Sequence, residues 1–161
     1  MIRIEPDAWR VMVEHAVAAY PRECCGVMLG SDGDGGRVVS MAWPCRNAYE
    51  GDQSDRFHID PKDQLAADRK ARELKLDVVG FFHSHPDCDS YFSATDLKHS
   101  WPVYSNVVIS VREGRFAQAK SFIANDDQTA STEETLAIPQ DGGPTTDGKS
   151  VDTDAAAAIR R

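Results

Sequence analysis

Hydrophobic positions along this chain switch between two periods, near 3.6 and near 2, and the switches mark out its predicted elements. Ile2 to Ile4 reads as a short strand, after which Trp9, Val13, Ala16, Val17 and Tyr20 recur at helical spacing. Pro6 suits the first helical position and Pro21 stops the helix. The stretch from Cys24 to Leu29 is apolar on both faces, which predicts a buried strand. The glycine- and aspartate-rich segment Ser31 to Arg37 reads as a hairpin loop leading to a strand over Val38 to Pro44. A polar loop, CRNAYEGDQSD, separates this from a further short strand at Arg56 to Ile59. Asp60 and Pro61 open a second helix, with Leu65, Ala66, Ala67, Ala71 and Leu74 as its apolar contacts. Val78 to Phe82 is the next buried strand. Ser93 opens a third, short helix closed by Trp101-Pro102, and strands over Val107 to Arg112 and Gln118 to Ile123 flank a turn at Glu113-Gly114.

Chemistry concentrates where the Val78 strand ends. In an extended chain residues two apart share a face, so His83 and His85 converge on one side, roughly 6.6 Å apart at Cα, while Ser84 points the other way. Pro86 is expected to end the strand and turn the chain into a loop through Asp87, Cys88 and Asp89. The helix after Ser93 brings Asp96 back toward the histidines. Two imidazoles and a carboxylate leave the fourth tetrahedral position of a zinc ion open to water, the composition of a catalytic site. Ser93 and Asp96 also fit a capping box, which needs no metal. Glu23 stands just ahead of the first buried strand and, taken alone, reads equally as a loop carboxylate beside Arg22.

The order His83-Ser84-His85-Pro86, six residues, Ser93, two residues, Asp96 resembles the signature of the JAMM (MPN-plus) metalloprotease family. The resemblance runs from about Ile2 to Ile123 and is strongest to small, stand-alone bacterial members. It implies a single α/β domain of MPN type, a mixed curved sheet flanked by helices with a zinc site at the end of a central strand. It implies one zinc per chain on His83, His85 and Asp96. Glu23, at the head of the strand after the first helix, matches the catalytic acid/base, and Ser93 would stabilise the tetrahedral intermediate. Asn47 would help order the substrate channel. The implied reaction is hydrolysis of the amide or isopeptide bond after the C-terminal glycine of a ubiquitin-like or ThiS/MoaD-type sulfur carrier protein, with release of a residue, a peptide or cysteine. A homodimer is compatible with this reading. A non-catalytic MPN scaffold is the alternative, but scaffolds of that kind have lost zinc ligands. A zinc deaminase would need H-x-E and P-C-x-x-C, and the chain has neither.

Composition narrows the partners. With 161 residues there is room for one domain with a sizeable core. A net charge of −8 argues against nucleic acid, which needs a basic footprint. No apolar run approaches a membrane span and the amino terminus has no apolar signal core, so a cytoplasmic protein is expected. Cys24, Cys25, Cys45 and Cys88 show no C-x-x-C spacing and are read as reduced, with Cys24 and Cys25 packed inertly in their strand. His58 is read as a half-exposed strand histidine outside the site. From Asp126 onward there are eight acids, three bases and no aromatics, which predicts an acidic, disordered tail over 126–161, behind a domain over 1–125 that the resemblance implies is a metallopeptidase. Within that tail only Glu133 to Ile138 has the apolar content to pack on a neighbour, and Gly142-Gly143 reads as linker.

Overall fold

The computed structural model describes residues 1–140. In chain order the elements are β1 (Ile2–Ile4), α1 (Pro6–Ala19), β2 (Cys25–Gly33), β3 (Gly36–Cys45), α2 (Pro61–Leu74), β4 (Asp77–Pro86), α3 (Ala94–His99), β5 (Ser105–Arg112), β6 (Arg115–Ala124), β7 (Ser131–Glu134) and β8 (Leu136–Ala137). The strands form one mixed sheet in the order β7-β6-β5-β4-β2-β3-β1-β8. The pairs β4–β5, β1–β3 and β1–β8 are parallel and the others antiparallel. Strands β7 and β8 occupy opposite ends of that order, yet only Thr135 lies between them. The sheet must therefore curl until its two edges nearly meet, which gives an almost closed barrel.

Each face of the curved sheet has its own core. Helix α1 buries Trp9, Met12, Val13 and Ala16 against Met28, Val39, Phe82, Val107 and Ile109 on one face. Helix α2 covers the other, where Cys25, Val27, Leu29 and Cys45 meet Ala67 and Ala71. A register shift between Met28 and Leu29 leaves Val79 as an extra residue on β4, so Val79 and Phe82, three apart, both reach the α1 core. Beyond this bulge the period of two resumes, and it decides which face the histidines take. At Gly80 a Cβ would lie 2.1 Å from the Ser105 carbonyl oxygen, so only glycine permits β4 and β5 to approach this closely.

Five expectations from sequence change. Strand β4 does not end before Pro86 but runs through it, because β5 stays paired as far as Pro86↔Val111 while the β2 partner stops at Cys25↔His83. Past that point β4 has a free side, where a residue without an N–H is tolerated. The hairpin after β2 is tighter than Ser31 to Arg37, since β2 and β3 stay paired as far as Gly33↔Gly36. Arg56 to Ile59 is not a strand, only a loop with one bridge, Asn47↔Ile59. Leu65 and Leu74 are 49% and 40% exposed, not core contacts. Leu65, two residues from Ala67, lies about 200° round the helix from the buried stripe. The stretch after Asn125 carries two strands, β7 and β8, where the sequence reads as tail apart from the packing segment Glu133 to Ile138. β7 pairs with β6, β8 pairs with β1, and Leu136 and Ile138 pack on the α1-side core. Two open sheet edges order a segment through backbone hydrogen bonds, which need little hydrophobic side chain. Gly142-Gly143 lies outside the described residues.

Candidate metal centre and active site

Strand β4 delivers His83 and His85 to the α2 face of the sheet, and α3 returns Asp96 to meet them. His83 Nε2 and His85 Nε2 are 3.2 Å apart, and they lie 3.3 Å and 3.4 Å from Asp96 Oδ2. These three atoms form a nearly equilateral triangle, and the side chains are only 4%, 6% and 8% exposed. Tetrahedral coordination with bonds of about 2.0–2.1 Å separates neighbouring donors by about 3.3–3.4 Å. The donor set and its spacing therefore fit one divalent cation with an open fourth position. Among the described residues, this is the one cluster of three or more His, Cys, Asp or Glu side chains with such convergence.

The surroundings aim these donors. His85 Nδ1 donates to the Asp89 carbonyl at 2.9 Å, which leaves the Nε2 lone pair directed at the centre of the triangle. The Asp89 loop is itself pinned, with Tyr20 Oη donating to Asp87 Oδ2 at 2.7 Å and the Glu113 N–H to Asp87 Oδ1 at 2.9 Å. The His83 ring stacks on Phe57, with centroids 4.6 Å apart and planes 24° off parallel. Ser93 and Asp96 form the anticipated capping box: Ser93 N–H donates to Asp96 Oδ2 and Asp96 N–H to Ser93 Oγ, both at 3.0 Å. The capping and metal-site readings are thus satisfied by the same geometry, since the cap orients the carboxylate. Ser93 Oγ accepts in that cap and keeps its own O–H to donate.

Glu23, two residues before β2, is 5% exposed. Pairing of β2 with β4 in the register Cys25↔His83 brings it alongside the histidines. It lines a cavity of about 440 Å³ together with His83, Asp96, Phe57 and Trp101. Burial pushes its carboxyl from an ordinary 4.5 up to about 8; the charge of His85 opposes this and that of Asp96 adds to it. Burial would also raise Asp96, but His83, His85 and the Ser93 N–H hold it well below the usual carboxylate range. For His85, burial lowers the pKa, yet Asp96 and the Asp89 carbonyl leave it raised overall.

Asn47 does not face the cavity. Its Nδ2 donates to the carbonyls of Glu23 and Arg56 at 3.1 and 3.0 Å, and its Oδ1 accepts from the N–H groups of Tyr49 and His58, both at 3.1 Å. The amide therefore ties Glu23 to the wall and clamps that wall on both sides of Phe57. His58 is exposed and lines the same cavity without joining the donor triangle. The Phe57 stack, the Asp89 carbonyl and Arg56 on the cavity wall escaped the sequence reading. Phe57 alone carried a signal, as an aromatic residue inside a polar loop. Burial pushes the thiols of Cys24 and Cys45 up to about 12 and raises Cys25 further, so they offer no thiolate at neutral pH.

A family model described as prokaryotic homologs of the JAB domain matches residues 5–133. The chain belongs to this family. Within it, the chain is 36% identical over 98 residues to a desampylase of Haloferax volcanii, covering 60% of this chain and 68% of that protein. It is 30% identical over 121 residues to a CysO-cysteine peptidase of Mycobacterium bovis, covering 74% of this chain and 80% of the relative. Among solved structures, a JAB1/MPN domain protein of Archaeoglobus fulgidus superimposes with a TM-score of 0.51 at 17% identity, covering 87% of this chain and 98% of the other. At that identity the likeness speaks for the fold alone, and the MPN architecture expected from sequence is the one observed. No helix among the described residues is long and apolar enough to cross a membrane.

Proposed function

We propose that this JAB-family protein is a zinc-dependent peptidase that hydrolyses the amide bond after the C-terminal glycine of a ubiquitin-like or sulfur carrier protein. The observation that carries this is the His83–His85–Asp96 donor triangle, two of whose members, His83 and Asp96, share one cavity with the buried carboxyl of Glu23. The named activities of the Haloferax and Mycobacterium relatives support the substrate class.

His83, His85 and Asp96 would hold the ion, which when bound supplies a Lewis acid and an acidified water. Glu23 takes a proton from the attacking water and delivers it to the departing amine. The free O–H of Ser93 donates to the oxyanion.

Glu23→Gln keeps side-chain size and leaves the donor triangle intact but removes the base. Zinc content should be unchanged while hydrolysis of a carrier-protein amide falls by at least about a hundredfold. Equal turnover in the two proteins would remove Glu23 from the mechanism. Absence of turnover in the zinc-loaded wild type on every Gly-terminated carrier tried would favour a scaffold.

A further inference from the structure

The wall formed by residues 55–58 stands beside Glu23, and its chemistry bears on the leaving group. A general acid must lie within hydrogen-bond reach of the nitrogen it protonates. When the departing nitrogen belongs to an α-amino acid, that residue's carboxylate is two bonds from the nitrogen, so it too falls in the neighbourhood of Glu23. Arg56 lines the cavity here beside Asp55, and their charges act on Glu23 in opposite senses, Arg56 favouring the ionised carboxyl and Asp55 the neutral one. No other lysine or arginine among the described residues lines the cavity. The backbone presenting it is fixed, because Asn47 bonds the carbonyl of Arg56 and the N–H of His58. The Arg56 side chain is 43% exposed, and both its partners belong to its exposed neighbour Asp55: the carboxylate at 3.4 Å and the backbone carbonyl, which accepts from Nη1 at 2.8 Å. Exposed pairs of this kind contribute little, so a substrate carboxylate can take the guanidinium at small cost.

We infer that Arg56 binds the α-carboxylate of the leaving residue, and that this chain therefore removes a single terminal amino acid in preference to a lysine side-chain amine. The inference rests on the peptidase reading above. In the step concerned, water oxygen bonds to the glycine carbonyl carbon, the C–N bond breaks with its electron pair going to nitrogen, and a proton passes through Glu23 to that nitrogen. The products are a glycine carboxylate and a free amino acid. A fork of planar N–H donors suits a carboxylate, whereas an isopeptide places no carboxylate near the scissile nitrogen.

The test uses the full chain loaded with zinc and three fluorescent peptides: one ending Gly-Gly-Ala with a free carboxylate, the same peptide as its C-terminal carboxamide, and one whose terminal glycine is joined to the Nε of lysine. Wild type should cut the free acid about ten- to a hundredfold faster in kcat/KM than either of the others, the range for losing a charged hydrogen bond. In Arg56→Gln that ratio should collapse to about one, and Arg56→Lys should restore part of it. Equal rates on acid and carboxamide in wild type, or an unchanged preference in Arg56→Gln, would overturn the assignment while leaving the peptidase reading in place. Hydrolysis of a Gly-terminated carrier but of none of the three peptides by the zinc-loaded wild type would overturn the assignment alone, and hydrolysis of neither would overturn both.

Discussion

Glu23→Gln in the metal-free protein separates the electrostatic part of the argument from catalysis. Burial raises the folded-state pKa of Glu23 from 4.5 to about 8, so between these values the native state binds a proton that the unfolded chain has lost. Wild-type stability must then fall as pH rises through that window, by at most about 1.4 kcal/mol per pH unit. At pH 7 the accumulated cost is on the order of 3 kcal/mol. Glutamine does not titrate and escapes it, although the buried amide has its own desolvation cost, which is independent of pH. The measurement is urea unfolding of both chelator-treated proteins at pH 5.5 and pH 7.5. The advantage of the glutamine variant over wild type should grow by about 2–3 kcal/mol between the two pH values, and contributions from His85 and Asp96 largely cancel in that difference. A divalent cation beside the carboxyl favours its ionised form, so metal loading should flatten the wild-type slope. Parallel pH dependences of the two metal-free proteins would show that Glu23 is not buried as an acid.

Further outcomes follow from the same geometry. The purified protein should contain about one zinc per chain by elemental analysis, and His83→Ala or Asp96→Ala should lose it while circular dichroism keeps its native form. Asn47→Ala removes hydrogen bonds to Glu23, Tyr49, Arg56 and His58, and should lower stability by roughly 1–2 kcal/mol while zinc is retained and turnover drops; unchanged turnover would detach the clamp from the site. In the native state a thiol reagent at pH 8 should titrate Cys88 quickly and leave Cys24, Cys25 and Cys45 until unfolding, because Cys88 is exposed and the others are buried. Truncation after Asn125 removes β7, β8 and the packing of Leu136 and Ile138, so its melting temperature should fall clearly.

The donor triangle was legible because its geometry is local. A period of two aligns His83 with His85, and a cap between Ser93 and Asp96 aims the carboxylate, so the spacing of one short segment already contains the constellation. Helix α1 was legible for a similar reason, its apolar stripe matching the face that it buries. Glu23 could be placed only by analogy with a family, because nothing in its neighbours says that β2 will pair with β4 and carry it to His83. The tertiary fold alone decided the Phe57 stack and the Asp89 hydrogen bond, which depend on loops held by distant side chains. It also decided the fate of residues 131–137. The sequence marks Glu133 to Ile138 as able to pack on a neighbour but names neither the neighbour nor any strand, since composition measures only what a segment can bury. A curling sheet offers two unpaired edges, and backbone N–H and C=O groups, present in nearly every residue, are what those edges recruit.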